Sequence, residues 1–374
     1  MKKKLAVIGG GYGGIEVLRQ LLLRGVKNVD ASLFTNKRWF ENTIGGPELI
    51  SGKVKIDELK YDLKILSSLW NFEIHVGNVE MVDLINKFIR FDGKTFDYDI
   101  IVLASGSQPN FYNVIGHENA FTAYSLEDFT KIGESVSDLA NGSRIVVVGA
   151  GFVGLEVVGE LLDALKFYGK NASVSVVELE NSILPSYPNE MARSIAFDYF
   201  SKKNVKFVLG QSVKLLQHDK VVFVNNNSLE SDLTIWAAGI KCSNLSSYVK
   251  GAKLFGGFIK VDEKLMVEGS ENAFSIGDMA FVEIGGRRAQ KMAGEALEQA
   301  KTVAKNISSI STGETATFSH EIKFPVDFPQ ALLSVGDEKA MLIFGQDYAS
   351  LGNVEYFLKK RIDFDEIMEC FPKP

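Results

Sequence analysis

Two glycine-rich segments constrain the fold of this 374-residue chain more than any other feature. Each has the spacing GxGxxG: GGGYGG begins at Gly9, near the start, and GAGFVG begins at Gly149. Each follows a short apolar run and precedes a segment with helical periodicity, as a strand–turn–helix unit requires. One such spacing also occurs in ordinary tight turns. Two of them in the same context predict a pair of parallel α/β units.

The two halves of the chain repeat the same order of elements. In the first half, an apolar strand (residues 5–8), a helix that ends at Gly25 and a strand (residues 31–34) form a βαβ unit. In the second half, strands at residues 145–148 and 174–177 enclose a helix that runs to about Leu165. Later strands, DYDIIVLASG and DLTIWAAGI, both end in small residues. This pattern predicts an internal duplication.

The three glycines of each spacing have separate tasks in a dinucleotide site. The first permits the turn, the second lets the pyrophosphate approach the backbone, and the third lets the helix pack closely on the strand. The helix N-terminus then offers free N–H groups to the phosphates. The predicted contacts are Gly9, Gly11, Tyr12, Gly13 and Gly14 in the first loop, and Gly149, Gly151, Phe152, Val153 and Gly154 in the second, with Ala238 and Gly239 after the late strand.

Glu178 closes the second strand of the second unit, where an acidic residue contacts the ribose hydroxyls. A carboxylate at this place would repel a 2′-phosphate, so the sequence favours NADH over NADPH. The alternative is a solvated glutamate at a strand end. In the first unit the matching residues, Thr35 and Asn36, are neutral.

Two glutamates, Glu156 and Glu160, follow the second loop and share one helical face because they are four residues apart. They are either surface acids that stabilise the helix or groups turned toward the bound cofactor. Asp278 follows a glycine turn in the segment SIGD. On its own this pattern indicates an N-capping aspartate.

Composition excludes several classes of protein. A net charge of −6 and a pI of about 5.5 argue against binding to nucleic acid. No apolar segment approaches the ~20 residues of a membrane-spanning helix. The two cysteines, Cys242 and Cys370, form no CxxC pair and are interpreted as structural or incidental, and the four scattered histidines lack zinc-ligand spacing, so no metal site is predicted.

The segments GGGYGG, LASG, GAGFVGLE, VVELENSILP, WAAGI and SIGD occur in the order seen in the pyridine nucleotide–disulfide oxidoreductase-like flavoproteins, which the chain resembles up to about Ile307. The resemblance implies an α/β fold with two Rossmann-like domains, one for FAD and one for NAD, the second inserted in the first. The implied boundaries are 1–115 and 241–320 for the FAD domain, 116–240 for the NAD domain and 321–374 for a small C-terminal α+β region.

The same resemblance implies which residues contact the cofactors. Asp278 becomes an FAD ligand, and Glu156 is the catalytic residue, placed where nicotinamide, flavin and quinone meet. The other implied FAD contacts are Thr35, Asn36, Lys37, Asn42, Val79, Ala104, Ser105, Gly106, Gly277, Met292 and Ala293.

Within the group the chain is most similar to type II NADH dehydrogenases and to apoptosis-inducing-factor-like quinone reductases of the ferroptosis-suppressor type. This implies an FAD-dependent NADH:quinone oxidoreductase that passes two electrons from NADH through FAD to a quinone. It also implies a cytoplasmic protein. The resemblance leaves open whether the protein contacts the inner face of the cell membrane and whether it forms a homodimer.

Three departures from these relatives keep alternatives open. Residues 40–52, where disulfide-using members carry redox cysteines, contain none. The quinone motif AQxxxQ reads AGEALE at residues 293–298, so both glutamines are missing. No membrane-anchoring tail is evident, and Lys359, Lys360 and Arg361 are interpreted as a solvated basic run, the alternative being contact with anionic lipid. The alternatives are a soluble NADH oxidase or NADH:acceptor reductase, a sulfide:quinone oxidoreductase, and a redox-sensing flavoprotein of the apoptosis-inducing-factor type.

Overall fold

The computed structural model describes residues 2–370, with side chains for residues 2–363. Its helices are α1 (Tyr12–Leu23), α2 (Glu48–Ser51), α3 (Leu63–Trp70), α4 (Leu126–Asp138), α5 (Phe152–Phe167), α6 (Glu190–Lys202), α7 (Ala293–Ser311) and α8 (Asn353–Cys370). Short 3₁₀ helices cover Thr43–Gly45, Ile56–Leu59, His117–Asn119, Asn244–Tyr248 and Gly277–Met279.

The first large sheet has five parallel strands. In order across the sheet they are Ala273–Ser275, Ile100–Leu103, Lys3–Ile8, Val29–Thr35 and Glu73–Val76. Val7 lies between Leu33 and Val102 in the register, and all three side chains are fully buried. Helices α1 and α7 pack against each other beside this sheet. The short apolar runs of the sequence are therefore buried parallel strands.

The second large sheet has the same design. Its five parallel strands are, in order, Phe121–Thr122, Leu233–Trp236, Ser143–Val148, Ala172–Val177 and Lys206–Val208. Val147 lies between Val176 and Ile235, again with all three side chains buried. The predicted duplication and the α/β fold class are confirmed.

Two short antiparallel strands, Ser107–Pro109 and Ile240–Cys242, pair with each other where the chain leaves the first sheet and returns to it. Ser107 faces Cys242 and Pro109 faces Ile240. The second sheet thus forms from the chain between these strands. Where each domain begins and ends stays a prediction.

Smaller sheets complete the two halves. A four-stranded sheet has the order Val249–Lys250, Val79–Asp83, Phe88–Phe91 and Lys94–Asp97. Three-stranded sheets consist of Val213–Leu216, Lys220–Phe223 and Ser228–Glu230, and of Leu254–Phe255, Phe258–Lys260 and Ala280–Phe281. Two-stranded sheets pair Glu283–Ile284 with Arg287–Arg288, and Trp39–Glu41 with Lys60–Asp62.

The C-terminal region is a three-stranded antiparallel sheet, Gln330–Gly336, Lys339–Phe344 and Tyr348–Gly352, followed by α8. The first of these strands packs on α5, and α8 packs on the sheet. The interpretation of Lys359 as a solvated residue is wrong: its side chain is buried, because it lies on the inner face of α8 with Tyr356. No helix within the described residues is long and apolar enough to cross a membrane.

Candidate functional site

The first glycine of each loop has a backbone that only glycine tolerates. Gly9 has φ of 112° and Gly149 has φ of 108°. A Cβ on Gly9 would lie 2.2 Å from the carbonyl oxygen of Ala104, and one on Gly149 would lie 2.6 Å from that of Ala237. Each glycine N–H donates to the end of the neighbouring strand, at 2.8 Å in both loops. The two turns are therefore the same structure built twice.

The other two glycines of each loop divide their tasks in the same way. A Cβ on Gly14 or on Gly154 would lie 2.0 Å from the carbonyl oxygen of the first glycine, so these positions allow close packing of helix on strand. A Cβ on Gly11 or on Gly151 would meet no atom within 4 Å. The middle glycine thus faces open space in both loops, which is the space that a pyrophosphate needs.

The helix N-termini at these loops are left without side-chain caps. Helices α4 and α6 begin with capping side chains, Ser125 and Asn189, whereas α1, α5 and α7 have no side-chain cap among the described residues. Their first N–H groups have no partner within the helix and carry the positive end of the helix dipole. Three helix N-termini are therefore available to anions.

The turn that carries Asp278 lies where α1 and α7 meet. A Cβ on Gly13 would lie 3.0 Å from Ile276 Cδ1, and one on Gly277 would lie 3.4 Å from Ala296 Cβ. The Gly277 N–H donates to Gln299 Oε1 at 2.7 Å, which ties the turn to α7. The turn that carries Asp278 therefore lies next to the first glycine loop.

The interpretation of Asp278 as an N-cap is wrong. Ile276 occupies the N-cap position of the short helix Gly277–Met279, and no side chain caps it. The Asp278 carboxylate instead accepts a hydrogen bond from Ser107 Oγ at 2.7 Å. A carboxylate has about four acceptor sites. Asp278 can therefore accept hydrogen bonds from ligand hydroxyls as well.

The other predicted FAD contacts have different surroundings. Asn42 is buried and accepts a hydrogen bond from Tyr12 Oη at 2.7 Å. Lys37 pairs with Glu41, and its N–H donates to Thr35 Oγ1. Ser105 Oγ donates to Met279 Sδ at 3.0 Å. The remaining positions are Asn36, exposed in a turn; Val79, at the start of its strand; Ala104 and Gly106, after the strand Ile100–Leu103; and Met292 and Ala293, at the start of α7. Their contacts with FAD stay predictions.

The carboxylate of Glu178 is held beside the second loop. It accepts the N–H of Ala150 at 2.7 Å and the N–H of Glu180 at 3.1 Å, and the side chain is buried. The interpretation as a solvated strand-end residue is therefore wrong. These two bonds use half of the acceptor capacity of a carboxylate. The other half remains for the two hydroxyls of a ribose.

Phe152 and Val153 begin α5 directly after the loop. The Phe152 ring stacks on Tyr187 with 6.0 Å between centroids, and Val153 is partly exposed. Ala238 and Gly239 follow the strand Leu233–Trp236, where Gly239 has φ of 115°. These residues line the carboxyl ends of the strands, which is where open α/β sheets bind their ligands.

Glu156 lies in the interior, between α5 and the C-terminal region. Its side chain is 5% exposed, its Oε1 accepts the N–H of Ser334 at 3.2 Å, and Lys359 Nζ lies 3.6 Å away. Burial raises the pKa of Glu156 to about 7, although the charge of Lys359 acts in the opposite direction. Burial alone would lower the pKa of Lys359, but the charges of Glu156 and Asp363 hold it above its ordinary value.

Glu160, one turn further along α5, is also fully buried. It accepts hydrogen bonds from Ser51 Oγ and from Lys53 Nζ. Burial raises its pKa. The interpretation of Glu156 and Glu160 as surface acids is therefore wrong. Sequence reasoning missed their partners, Lys359 and Lys53, although Lys359 shares a helical face with the apolar Tyr356.

The quinone motif of the relatives is replaced by a different packing. A Cβ on Gly294 would lie 3.2 Å from the ring of Phe324, and Glu298 pairs with Lys301 at 2.6 Å. A glutamine occurs one residue later, where Gln299 binds Gly277 and accompanies the buried Glu295. The helix therefore supports the Asp278 turn instead of presenting two glutamines to a ligand.

The described residues offer few groups for cysteine or metal chemistry. Cys242 is buried, with Sγ 3.6 Å from the carbonyl oxygen of Met279, and burial raises its pKa. The side chain of Cys370 lies outside the described residues. Among the described residues no cluster of His, Cys, Asp or Glu could hold a metal ion.

Comparisons with known proteins extend over nearly the whole chain. Residues 3–303 match the family described as pyridine nucleotide-disulphide oxidoreductase. A protein of Staphylococcus saprophyticus named type II NADH:quinone oxidoreductase is 27% identical over an alignment of 390 positions, which covers 97% of this chain and 94% of the relative.

Two solved structures share the fold. The sulfide:quinone oxidoreductase of Aquifex aeolicus superposes with a TM-score of 0.86 at 18% identity, covering 98% of this chain and 91% of the other. NDH2 of Plasmodium falciparum in complex with NADH superposes with a TM-score of 0.80 at 18% identity, covering 100% and 99%. At this identity the likeness concerns the fold.

Proposed function

The chain belongs to the pyridine nucleotide-disulphide oxidoreductase family, and we propose that it is an FAD-dependent NADH:quinone oxidoreductase. The observation that carries the proposal is the duplicated loop, in which Gly11 and Gly151 both face open space. Two such loops accommodate two dinucleotides, one resident and one exchanging. The staphylococcal relative supports NADH as the donor and a quinone as the acceptor.

The residues around the first loop fit an FAD. Gly9 and Gly14 build a turn that no larger residue could form, and Gly11 leaves room for the pyrophosphate. The uncapped N-termini of α1 and α7 supply N–H donors, and Asp278 supplies acceptors for hydroxyls. A bound FAD would supply the hydride acceptor and the two-electron carrier between NADH and the quinone.

The residues around the second loop fit NADH better than NADPH. Glu178 offers acceptors to the adenosine ribose hydroxyls and would repel a 2′-phosphate. Gly151 and the N-terminus of α5 would bind the pyrophosphate. The nicotinamide half would then extend toward Gly239, which precedes the strand Ile240–Cys242.

Glu156, with Lys359 beside it, is suited to supply a proton to the quinone. Reduction to a quinol takes two electrons and two protons, and the hydride of NADH carries only one proton equivalent with its electrons. With a pKa of about 7, Glu156 can hold a proton and release it at neutral pH. The Lys359 ammonium, 3.6 Å from the Glu156 carboxylate, stabilises the negative charge that is left when the proton is released.

Peripheral contact with a membrane is supported by the outer face of α8. Val354, Phe357, Leu358 and Ile362 are exposed on this helix, while Tyr356 and Lys359 face inward. A helix with one exposed apolar face can lie in a lipid surface. We place this contact on the cytoplasmic side, where NADH is available; a homodimer stays a prediction.

A second candidate, a soluble NADH oxidase, is favoured by the replaced quinone motif at Gly294 and Glu298. The sulfide enzyme is disfavoured because the cysteine with a described side chain, Cys242, is buried and its thiol pKa is raised.

Steady-state assays separate these functions. The purified yellow protein is supplied with NADH, NADPH or sulfide, and with a water-soluble quinone or oxygen as acceptor. We expect NADH with quinone to give the fastest turnover. Turnover that is fastest with oxygen supports the oxidase, and turnover with sulfide but not NADH contradicts the proposed function.

A further inference from the structure

Tyr112 lies in a strained segment between the two sheets. It follows the strand Ser107–Pro109, where the chain leaves the first sheet, and its backbone has φ of 49°. The next residue, Asn113, has φ of 60°. Left-handed backbone is uncommon for residues other than glycine and is costly for a bulky one, so it persists only where the surroundings impose it. Such strain often marks a functional position.

The neighbours of Tyr112 impose this conformation. The ring of Phe111 stacks on His117, 4.2 Å between centroids, and lies 5.7 Å from the ring of Trp236. Trp236 Nε1 donates to the carbonyl oxygen of Asn110 at 2.9 Å, and the Tyr112 N–H donates to Asn110 Oδ1 at 3.1 Å. Packing therefore fixes the chain on both sides and turns Tyr112 outward, where it is 61% exposed.

The phenol of Tyr112 lies over Gly239. A Cβ on Gly239 would be 2.9 Å from Tyr112 Oη, so the absence of a side chain at Gly239 makes room for the tyrosine hydroxyl. Within the side chains that the structure describes, the hydroxyl of Tyr112 has no hydrogen-bond partner. Its donor and its lone pairs are therefore available to a ligand.

The order of the strands places Tyr112 at one end of the second dinucleotide site. The strand that leads to Gly149 is central, the strand that ends before Glu178 lies on one side, and the strand that leads to Gly239 lies on the other. A dinucleotide whose adenosine ribose binds Glu178 crosses Gly151 and reaches Gly239 with its other half.

We propose that Tyr112 binds the nicotinamide half of NADH, with its ring as one wall of the site and its hydroxyl as a hydrogen-bond donor. This inference rests on the proposed function, because it takes NADH as the ligand of the second loop. The strained backbone is then the consequence of holding an exposed ring over Gly239.

The test compares Tyr112→Phe and Tyr112→Gly with the wild type, measuring NADH affinity by titration, KM for NADH, FAD content and Tm. AMP, which carries only the adenosine half, is measured as a competitive inhibitor. Tyr248→Phe and Tyr248→Gly are matched controls, because Tyr248 is similarly exposed, at 60%, at the end of the short helix Asn244–Tyr248.

Tyr112→Phe should weaken NADH binding by about 2- to 10-fold, the range of one net hydrogen bond, and leave AMP inhibition and FAD content unchanged. Tyr112→Gly should weaken NADH binding further while Tm is equal to or above that of the wild type, because glycine relieves the strain. The control variants should bind NADH like the wild type.

Unchanged NADH affinity in both Tyr112 variants overturns the inference. So does an equal loss for AMP, or a lower Tm of Tyr112→Gly together with weaker NADH binding, which indicates a structural role. Failure of the wild type to bind NADH contradicts the proposed function itself, whereas wild-type binding with unaffected Tyr112 variants contradicts only the role of Tyr112.

Discussion

Lys359 Nζ lies 3.6 Å from Glu156 Oε1, and both side chains are almost completely buried. A buried carboxylate next to an ammonium group is usually ionised, yet burial raises the pKa of Glu156 to about 7. Near neutral pH this group therefore exists in both protonation states. A carboxyl group with such a pKa, behind a dinucleotide loop, is suited to acid–base chemistry.

Replacement of Glu156 by glutamine should slow quinone-dependent turnover by about 100-fold, a value typical for loss of a general acid or base. FAD should remain bound, because the contacts of Glu156 are with Ser334 and Lys359 and not with the first loop. The measurement is kcat with NADH and a soluble quinone, together with the flavin absorbance per protein. Glu160→Gln, one turn away, should keep most of the turnover. Equal rates for wild type and Glu156→Gln would exclude the proposed role.

Stability should depend on pH through the same group. Folded Glu156 binds a proton between its ordinary pKa of 4.5 and about 7, whereas the unfolded chain releases it. The folded state therefore holds more protons in this window, and the free energy of unfolding decreases as pH rises through it. The shift corresponds to about 3 kcal/mol.

Lys359 is protonated in both states throughout this pH window, so it adds no slope. The wild type should lose stability between pH 5 and pH 8, and Glu156→Gln should not. The stability of the variant relative to the wild type should therefore increase as the pH rises. Tm values of both proteins at the two pH values measure this gain. A wild-type and variant pair with parallel Tm profiles would show that Glu156 does not titrate in this range.

Lys359→Met should raise the pKa of Glu156 further, because it removes the cation that stabilises the carboxylate. If protonated Glu156 is the active form, the pH above which turnover decreases should move upward. The pH profile of kcat measures the change. Lys166→Met is the control, since Lys166 is highly exposed near the end of the same helix as Glu156. An unshifted profile in Lys359→Met would show that Lys359 does not influence the pKa that controls turnover.

The sequence predicted the duplicated sheets because short apolar runs and GxGxxG spacing depend on local backbone geometry. It did not predict the buried pair of Glu156 and Lys359. These residues meet only when α8 packs against the strand Gln330–Gly336, and that strand against α5. Lys359 lies in a charged segment whose apolar residues are mostly exposed. A basic run of this kind is normally solvated, and the one local sign of burial is Tyr356 on the same helical face.

Alanine substitutions at the loop glycines test the two proposed dinucleotide sites. Gly151→Ala should fold and keep FAD but bind NADH at least 10-fold more weakly, because its Cβ enters open space that the pyrophosphate needs. Gly11→Ala should fold but lose affinity for FAD. Gly154→Ala should unfold at a clearly lower temperature, since its Cβ would lie 2.0 Å from a carbonyl oxygen.

Circular dichroism, FAD content and NADH titration distinguish these three variants. Normal NADH affinity in Gly151→Ala would contradict the assignment of the second loop.

Glu178 should determine the preference for NADH over NADPH. Glu178→Gln keeps an acceptor for the Ala150 N–H but removes the negative charge, so the ratio of kcat/KM for NADH to that for NADPH should decrease by about 10-fold. Glu180→Gln, two residues further and exposed, is the control. A ratio that is the same in wild type and Glu178→Gln would place the ribose elsewhere.

The most direct test of the account is an anaerobic measurement of the two half-reactions in a stopped-flow spectrometer. NADH is mixed with the purified protein while the flavin absorbance is followed, and a soluble quinone is then added. We predict rapid bleaching by NADH, slow bleaching by NADPH, and return of the absorbance with quinone at a rate at least equal to turnover. Absence of bleaching by NADH, or a reduced flavin that quinone does not reoxidise, would contradict it.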